Sequence, residues 1–271
     1  MNKIIVLLLL CAPVTSLTRG ETLATIRLQT GTVQRSNTPV SVSLEDVPFQ
    51  DSQFLQLVRI DPGMRTVVPS QIILGYSPRL YWIIEQADAD AMLEYELVRT
   101  DKAKDASVIR VDANEQRLLL QRNDKYILQY NCTTVYPPEG VDPIYKRSGF
   151  IHPLWSPEQS VLTRIQPDDH YHHYGIWGPW TKTHINSREI DFWNLAKGLG
   201  TVQFGGVNSI VEGDVFSGFQ VRQEHVDFGA SGGDRVAINE LLDVRAWNIA
   251  SDAWLIDYIV TLNCPADTVV L

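Results

Sequence analysis

Short runs of β-branched, aromatic and leucine residues recur along the whole chain, each closed by turn residues, and no segment holds a 3.6-residue period for three turns. Thr25-Ile26-Arg27-Leu28, Val40 to Leu44, Leu55 to Val58 and Leu80-Tyr81-Trp82-Ile83-Ile84 open the series. Val108 to Val111, Arg117 to Leu120, Tyr126 to Tyr130, Val207 to Val211 and Phe219 to Arg222 continue it. Asp61-Pro62-Gly63, Arg122-Asn123-Asp124-Lys125, Pro137-Pro138-Glu139-Gly140 and Gly229 to Gly233 punctuate it. Gln86 to Leu97 comes nearest to a helical period, yet it ends in the alternating Leu93-Glu94-Tyr95-Glu96-Leu97, which reads as strand. Strands of this kind bury one face each, and only stacked or closed sheets allow that. The expected fold is all-β, an antiparallel β-sandwich preceded by a smaller β-domain, with helix confined to short pieces.

The start of the chain reads as a leader. Lys3 gives a positive end, and Ile4 to Val14 is an apolar run too short for a bilayer, which needs about twenty residues. Val14-Thr15-Ser16 resembles a small-residue cleavage site. Leu10 before Cys11 is too large for a lipoprotein signal. Residues 1–20 are therefore expected to be a signal peptide, and the protein to be exported to the periplasm or beyond, without integral membrane association. Losing Lys3 and Arg19 would take the net charge further below the −9 of the whole chain. An acidic chain without a basic stripe is a poor ligand for a phosphate backbone, so nucleic acid is excluded as a partner.

Lys102 to Asp105 is charged and small-residue, as a surface connection would be. The division that follows is a small N-terminal β-domain over 21–105 and a larger β-sandwich over 115–271. The chain stops soon after the strand-like Ile256 to Leu262, as if further C-terminal strands were missing. Cys132 and Cys264 are either one disulfide or two thiols, and neither lies in a CxxC pair. Asn131-Cys132-Thr133 is formally a glycosylation sequon. Gly229-Ala230-Ser231-Gly232-Gly233 spells GxSxG, but it lies between strands and no histidine follows it, so it reads as a loop. HExxH is absent, the HxH at His170 lacks the Glu that a cupin places after it, and Gly198-Leu199-Gly200 lacks the rest of a dinucleotide fingerprint.

The chemistry concentrates elsewhere. Five of the six histidines fall between His152 and His184, where even scatter would put fewer than one. Trp155, Trp177, Trp180 and Trp193 lie in or beside that window. Its centre is Asp168-Asp169-His170-Tyr171-His172-His173-Tyr174-Gly175-Ile176-Trp177. On a strand His170 and His172 would share a face, placed to chelate one divalent metal ion or to hold one substrate; a bulge at Gly175 would bring in His173. His152, His170, His172, His173 and Asp169 are the candidate acid, base or metal-ligating groups, with Asp168 as an alternative orienting carboxylate. Tyr174, Trp177, Trp180, Asp191, Trp193 and Glu240 are candidates for substrate contact. Flat aromatic faces beside imidazoles and carboxylates suit a sugar, whose C–H face stacks while its hydroxyls find polar partners.

Arg147-Ser148-Gly149-Phe150-Ile151-His152-Pro153-Leu154-Trp155-Ser156-Pro157, the Asp169 to Trp177 segment and Asp191-Phe192-Trp193 together resemble a bacterial family of exported proteins labelled "PmoA-like" (methane oxygenase PmoA). Pro39-Val40 and Val68-Pro69-Ser70-Gln71 resemble the front of longer members. The resemblance implies an exported β-sandwich of sugar-degrading bacteria, similar to the mutarotase-like supersandwich, in chains that run past the end of this one. A methane-oxidising membrane subunit is polytopic and this chain has no span beyond its leader, so the label does not describe its activity.

Three functions follow. The first is a carbohydrate-active enzyme, a hydrolase, lyase or epimerase working by His/carboxylate acid–base chemistry, with or without a metal ion. The second is a non-catalytic carbohydrate-binding or cell-envelope module. The third, carried by the family label and the histidines alone, is copper-dependent oxidation.

Overall fold

The alternation read from the sequence is the alternation that packs. A computed structural model describes residues 5–10, 21–50, 54–75, 77–101, 107–186, 188–229, 232–249, 252–264 and 269–270, with 5–10 and 269–270 described by backbone alone. Two compact units emerge, Met1–Ser107 with Gly213–Val215 and Trp247–Ala250, and Val108–Glu212 with Phe216–Ala246 and Ser251–Leu271. Among the described residues the only helical pieces are two 3₁₀ turns, Pro143–Tyr145 and Leu195–Lys197.

In the first unit the strands are β1 (Ile5–Leu10), β2 (Thr22–Gln29), β3 (Arg35–Ser43), β4 (Phe54–Asp61), β5 (Met64–Val68), β6 (Ser70–Ile73), β7 (Arg79–Ala87) and β8 (Met92–Thr100). They form two antiparallel sheets, in the orders β1-β2-β8-β4-β5 and β3-β7-β6. Every second residue turns inward: Leu80, Trp82 and Ile84 on β7, and Leu93, Tyr95 and Leu97 on β8, join one core with Ile26, Leu28 and Leu57. Trp82 and Tyr95 meet edge to face at 5.3 Å, an arrangement favoured by the ring quadrupoles. The proposed leader cleavage site, the rest of residues 11–20 and the Lys102–Asp105 connection lie outside the described residues.

The second unit is built from β9 (Ile109–Ala113), β10 (Arg117–Arg122), β11 (Lys125–Asn131), β12 (Phe150–Leu154), β13 (Thr183–Ile185), β14 (Arg188–Ile190), β15 (Gly200–Val211), β16 (Phe216–Asp227), β17 (Arg235–Trp247), β18 (Leu255–Asn263) and β19 (Val269–Val270). One sheet runs β12-β11-β10-β9, a second β15-β16-β17-β18, and a short ribbon β14-β13-β19. Leu118, Leu120, Ile127 and Tyr130 of the first sheet pack with Phe219, Val221, Leu242 and Val244 of the second. The chain is thus an all-β sandwich protein, as its alternation implies.

One stretch of that core is polar. On β16 the inward residues after Val221 are Gln223, His225 and Asp227, all fully buried, and Glu240 joins them from β17. Cys132 is a buried thiol and Cys264 an exposed one, both free. Burial pushes the Cys132 thiol up to about 11, which leaves it protonated and inert at neutral pH. Asn131 donates its amide to the carbonyls of Phe150 and His152, so the sequon asparagine is already spent on holding β12 to β11. Ser231 of the GxSxG match lies outside the described residues.

Candidate functional site

The histidine-rich segment is not a strand. Between β12 and β13 the backbone makes only isolated bridges, Trp155 with Val161, Ile165 with Tyr174 and Ile151 with Ile176. Gln166 N–H donates to His173 O and Gly175 N–H to Arg164 O, which closes residues 164–175 into a loop. Within it His170 N–H donates to Pro167 O and His173 N–H to His170 O, two successive turns. Gly175 takes a positive φ of 51°, and a Cβ there would collide with Ile151 O, so the loop foot lies flush against β12. Same-face alternation therefore does not operate on His170 and His172. Turn geometry replaces it, because Pro167 and the Asp168-Asp169 pair favour turns over strand.

The turns still bring three imidazoles together. Ring centroids of His170 and His173 are 4.9 Å apart and stacked, those of His172 and His173 4.5 Å apart, and those of His170 and His172 5.7 Å apart. His170 is exposed, while His172 and His173 are half-buried. Asp169 approaches His170 Nδ1 at 3.1 Å, and this contact holds its carboxyl below the usual range. Asp168 is exposed beside it.

The wall of the site comes from another segment. Trp193 lies 6.1 Å from His173, 6.4 Å from His172 and 6.2 Å from Trp177, and is 38% exposed. Asp191 sets its position: Oδ1 accepts the backbone N–H groups of Trp193 and Asn194, and Oδ2 accepts Lys197 Nζ at 2.7 Å. Burial pushes the Asp191 carboxyl up, but Lys197 and the two amides outweigh it and keep it ionised. Trp177 contacts His173 at 5.7 Å. Trp180 stands outside, its exposed ring in no recorded contact with the histidines and its carbonyl accepting Phe192 N–H. Trp193, rather than Trp180, makes the stacking face with Trp177.

Tyr174 belongs to the foundation, not to the ligand-facing surface. It is fully buried against Phe150 at 4.7 Å, its hydroxyl donates to Tyr145 O, and burial pushes it up to about 12. Beside it lies Arg147, a residue that composition and spacing did not single out. Its guanidinium is buried with its centre 5.9 Å from the Tyr174 ring, and Nη2 donates to the carbonyls of Phe192 and Trp193. Nε and Nη1 have no acceptor. Burial lowers its pKa to about 10, so it is still charged at neutral pH.

Electrostatics then set the imidazoles. Burial lowers the pKa of His172, and the nearby His173, His170 and Arg147 lower it further against the opposing pull of Asp191. Burial and His170 likewise lower His173, with Asp169 opposing. Both rings are consequently neutral bases at pH 7.

Several sequence candidates go elsewhere. His152 bonds Thr163 Oγ1 through Nδ1 at 2.9 Å, and burial lowers its pKa; no ring contact joins it to the other three. His184 sits on β13 with Glu189 at 3.7 Å. Glu240 does not reach the loop: it meets His225 Nε2 at 2.8 Å, both side chains fully buried. His225 is the one histidine outside the dense window, and its edge-on contact with Phe192 places it under the segment that carries Trp193. Among the described residues no group of three His, Cys, Asp or Glu side chains is arranged to hold a metal ion. The imidazoles stack and meet edge to face, with ring centroids 4.5 to 5.7 Å apart.

Residues 117–271 match the model of a family of unknown function, DUF6807, and the chain belongs to that family. No curated protein and no solved structure matches it.

Proposed function

We propose that this member of the DUF6807 family is an exported carbohydrate-active enzyme, acting on a sugar or glycoside by acid–base chemistry at the 164–175 loop. One observation carries the reading. His172, neutral at pH 7, stands beside the open face of Trp193, so a proton acceptor and a stacking surface share one site. A pyranose laid on Trp193 turns its hydroxyls and ring C–H bonds toward the imidazoles. His172 accepts a proton from the bound sugar, and Asp169 holds His170 in place as a hydrogen-bonding neighbour. The leader-like start supports export, and no helix among the described residues is long and apolar enough to cross a membrane.

The aromatic wall alone would also serve a non-catalytic carbohydrate-binding module, which is the second reading. Copper chemistry, suggested by the PmoA-like resemblance, draws no support from the donor geometry. A panel of glycosides and oligosaccharides followed by Trp fluorescence and by product formation separates the readings. An enzyme turns over at least one ligand and loses turnover in His172→Ala while keeping its binding. A binding module shows fluorescence quenching and no product with any member. No binding and no product across the panel would remove both.

A further inference from the structure

Beneath the stacking face, buried hydrogen-bond donors outnumber acceptors. Arg147 Nε and Nη1 and Trp177 Nε1 are sealed from solvent and donate to nothing. Both residues pack around Tyr174 and both border Trp193, through Arg147 Nη2 to its carbonyl and through the 6.2 Å ring contact. Among the described residues no carboxylate pairs with the guanidinium, which donates to two carbonyls and lies against a tyrosine ring. Asp191, the buried acid beside Trp193, has both oxygens engaged by Lys197 and two backbone amides. A buried cation without a counter-charge is costly, and the unpartnered nitrogens, two of its own and the indole nitrogen of Trp177, add to the cost. The unpartnered atoms of Arg147 and Trp177 are all donors, and a negative charge nearby offsets the cation.

We infer that the site takes a sugar carrying a carboxylate, a uronic acid or uronate-terminated glycoside, with Arg147 as the residue that confers the preference for the anion. This deepens the carbohydrate reading and rests on it. The sugar ring lies on Trp193 and its carboxylate is drawn toward the guanidinium. Direct contact is not required, because a charge in a weakly screening interior acts over several ångströms. The setting sharpens the effect, since the chain as a whole carries −9 and would otherwise repel an acid.

The test measures binding of methyl galacturonoside and methyl glucuronoside, their methyl esters, and the parent neutral hexosides to the full chain, by Trp fluorescence and calorimetry. The wild-type protein should bind a free uronate at least about tenfold tighter than its ester at low salt, with the margin shrinking as salt rises. Arg147→Met should erase the margin and Arg147→Lys should keep part of it. Trp177→Phe, which deletes the indole N–H and keeps the ring, should narrow it. Equal binding of acid and ester, or an unchanged margin in a folded Arg147→Met, overturns the inference. If Arg147→Met does not fold, the wild-type ester comparison and Trp177→Phe still decide. Binding of neutral hexosides without uronates would overturn the inference alone, whereas no binding of any sugar would overturn the carbohydrate reading with it.

Discussion

Two histidine–acid pairs of the second unit could hardly differ more. His170 and Asp169 sit at the tip of a loop, both exposed, 3.1 Å apart, with His173 stacked on His170 and His172 edge-on to both. His225 and Glu240 lie between two sheets at 2.8 Å with no exposure at all. The chemical groups are the same and the environments are opposite. In the core pair each partner satisfies a desolvated atom of the other, so the contact serves folding. At the loop, water already satisfies the polar atoms, so the arrangement adds little to stability and remains available to a ligand. Burial, not residue type, separates the two pairs.

Substitutions can break that contrast, and the largest effect should come at the loop. His172→Ala is expected to lower turnover by about 10²–10⁴-fold, the range of a lost general base. Its melting temperature should stay near wild type, because half-exposed loop positions cost within about 0.5 kcal/mol. Unaltered turnover would leave His172 without a catalytic role. Glu240→Leu should do the reverse. It strands His225 Nε2 in the core, costs about 1–3 kcal/mol in denaturant unfolding, and leaves sugar affinity unchanged. A Glu240→Leu protein that is fully stable but inactive would invert the assignment of the two pairs.

Trp193→Ala comes next, with sugar affinity weakened by about tenfold, as expected for loss of one stacking face worth roughly 1 kcal/mol or slightly more. Acid is a gentler probe. The folded-state pKa values of His152, His172 and His173 are all lowered from 6.5, so the unfolded chain binds more protons below that value. Their contribution to stability is therefore complete above pH 6.5 and shrinks as pH falls through the lowered values. Turnover should share that acid limb, its midpoint below 6.5 because the base must be neutral. A limb above 6.5 would assign it to some other group. Smallest of all, His184→Ala should change neither activity nor stability beyond about 0.5 kcal/mol, since its partner Glu189 stands 3.7 Å away at the surface.

Much of the sandwich was legible because half-buried strands must alternate. Leu80, Trp82 and Ile84, or Leu93, Tyr95 and Leu97, announce a buried face with no knowledge of their partners. The histidine cluster was legible as density but not as geometry. Strand periodicity was the wrong frame for residues 168–173, where Pro167 and two aspartates had already signalled turns. Arg147 was invisible for a different reason: nothing local tells a guanidinium that it will be covered. His225 was hidden by ambiguity, since β16 is polar on both sides after Val221. Gln223, His225 and Asp227 go inward while Arg222 and Glu224 stay out, and only the heavier charge of the outer set hints at that choice. Glu240 was recognised as a chemical group and assigned to the wrong neighbours, because cross-strand register cannot be read from one strand.

The loop's attachment also bears on how such a site could be rebuilt. Residues 167–172 hang from a foot fixed by the Ile165–Tyr174 and Ile151–Ile176 bridges, by the pair of hydrogen bonds that close residues 164–175, and by the glycine that lets the chain lie flush on β12. The bridges and closing hydrogen bonds lie at the ends of the segment, and His170 and His172 lie between them. Six residues can therefore be exchanged, lengthened or borrowed from another chain without disturbing the sheets beneath. For an engineer with a library of loops, the sandwich is a handle and residues 167–172 are the interchangeable blade.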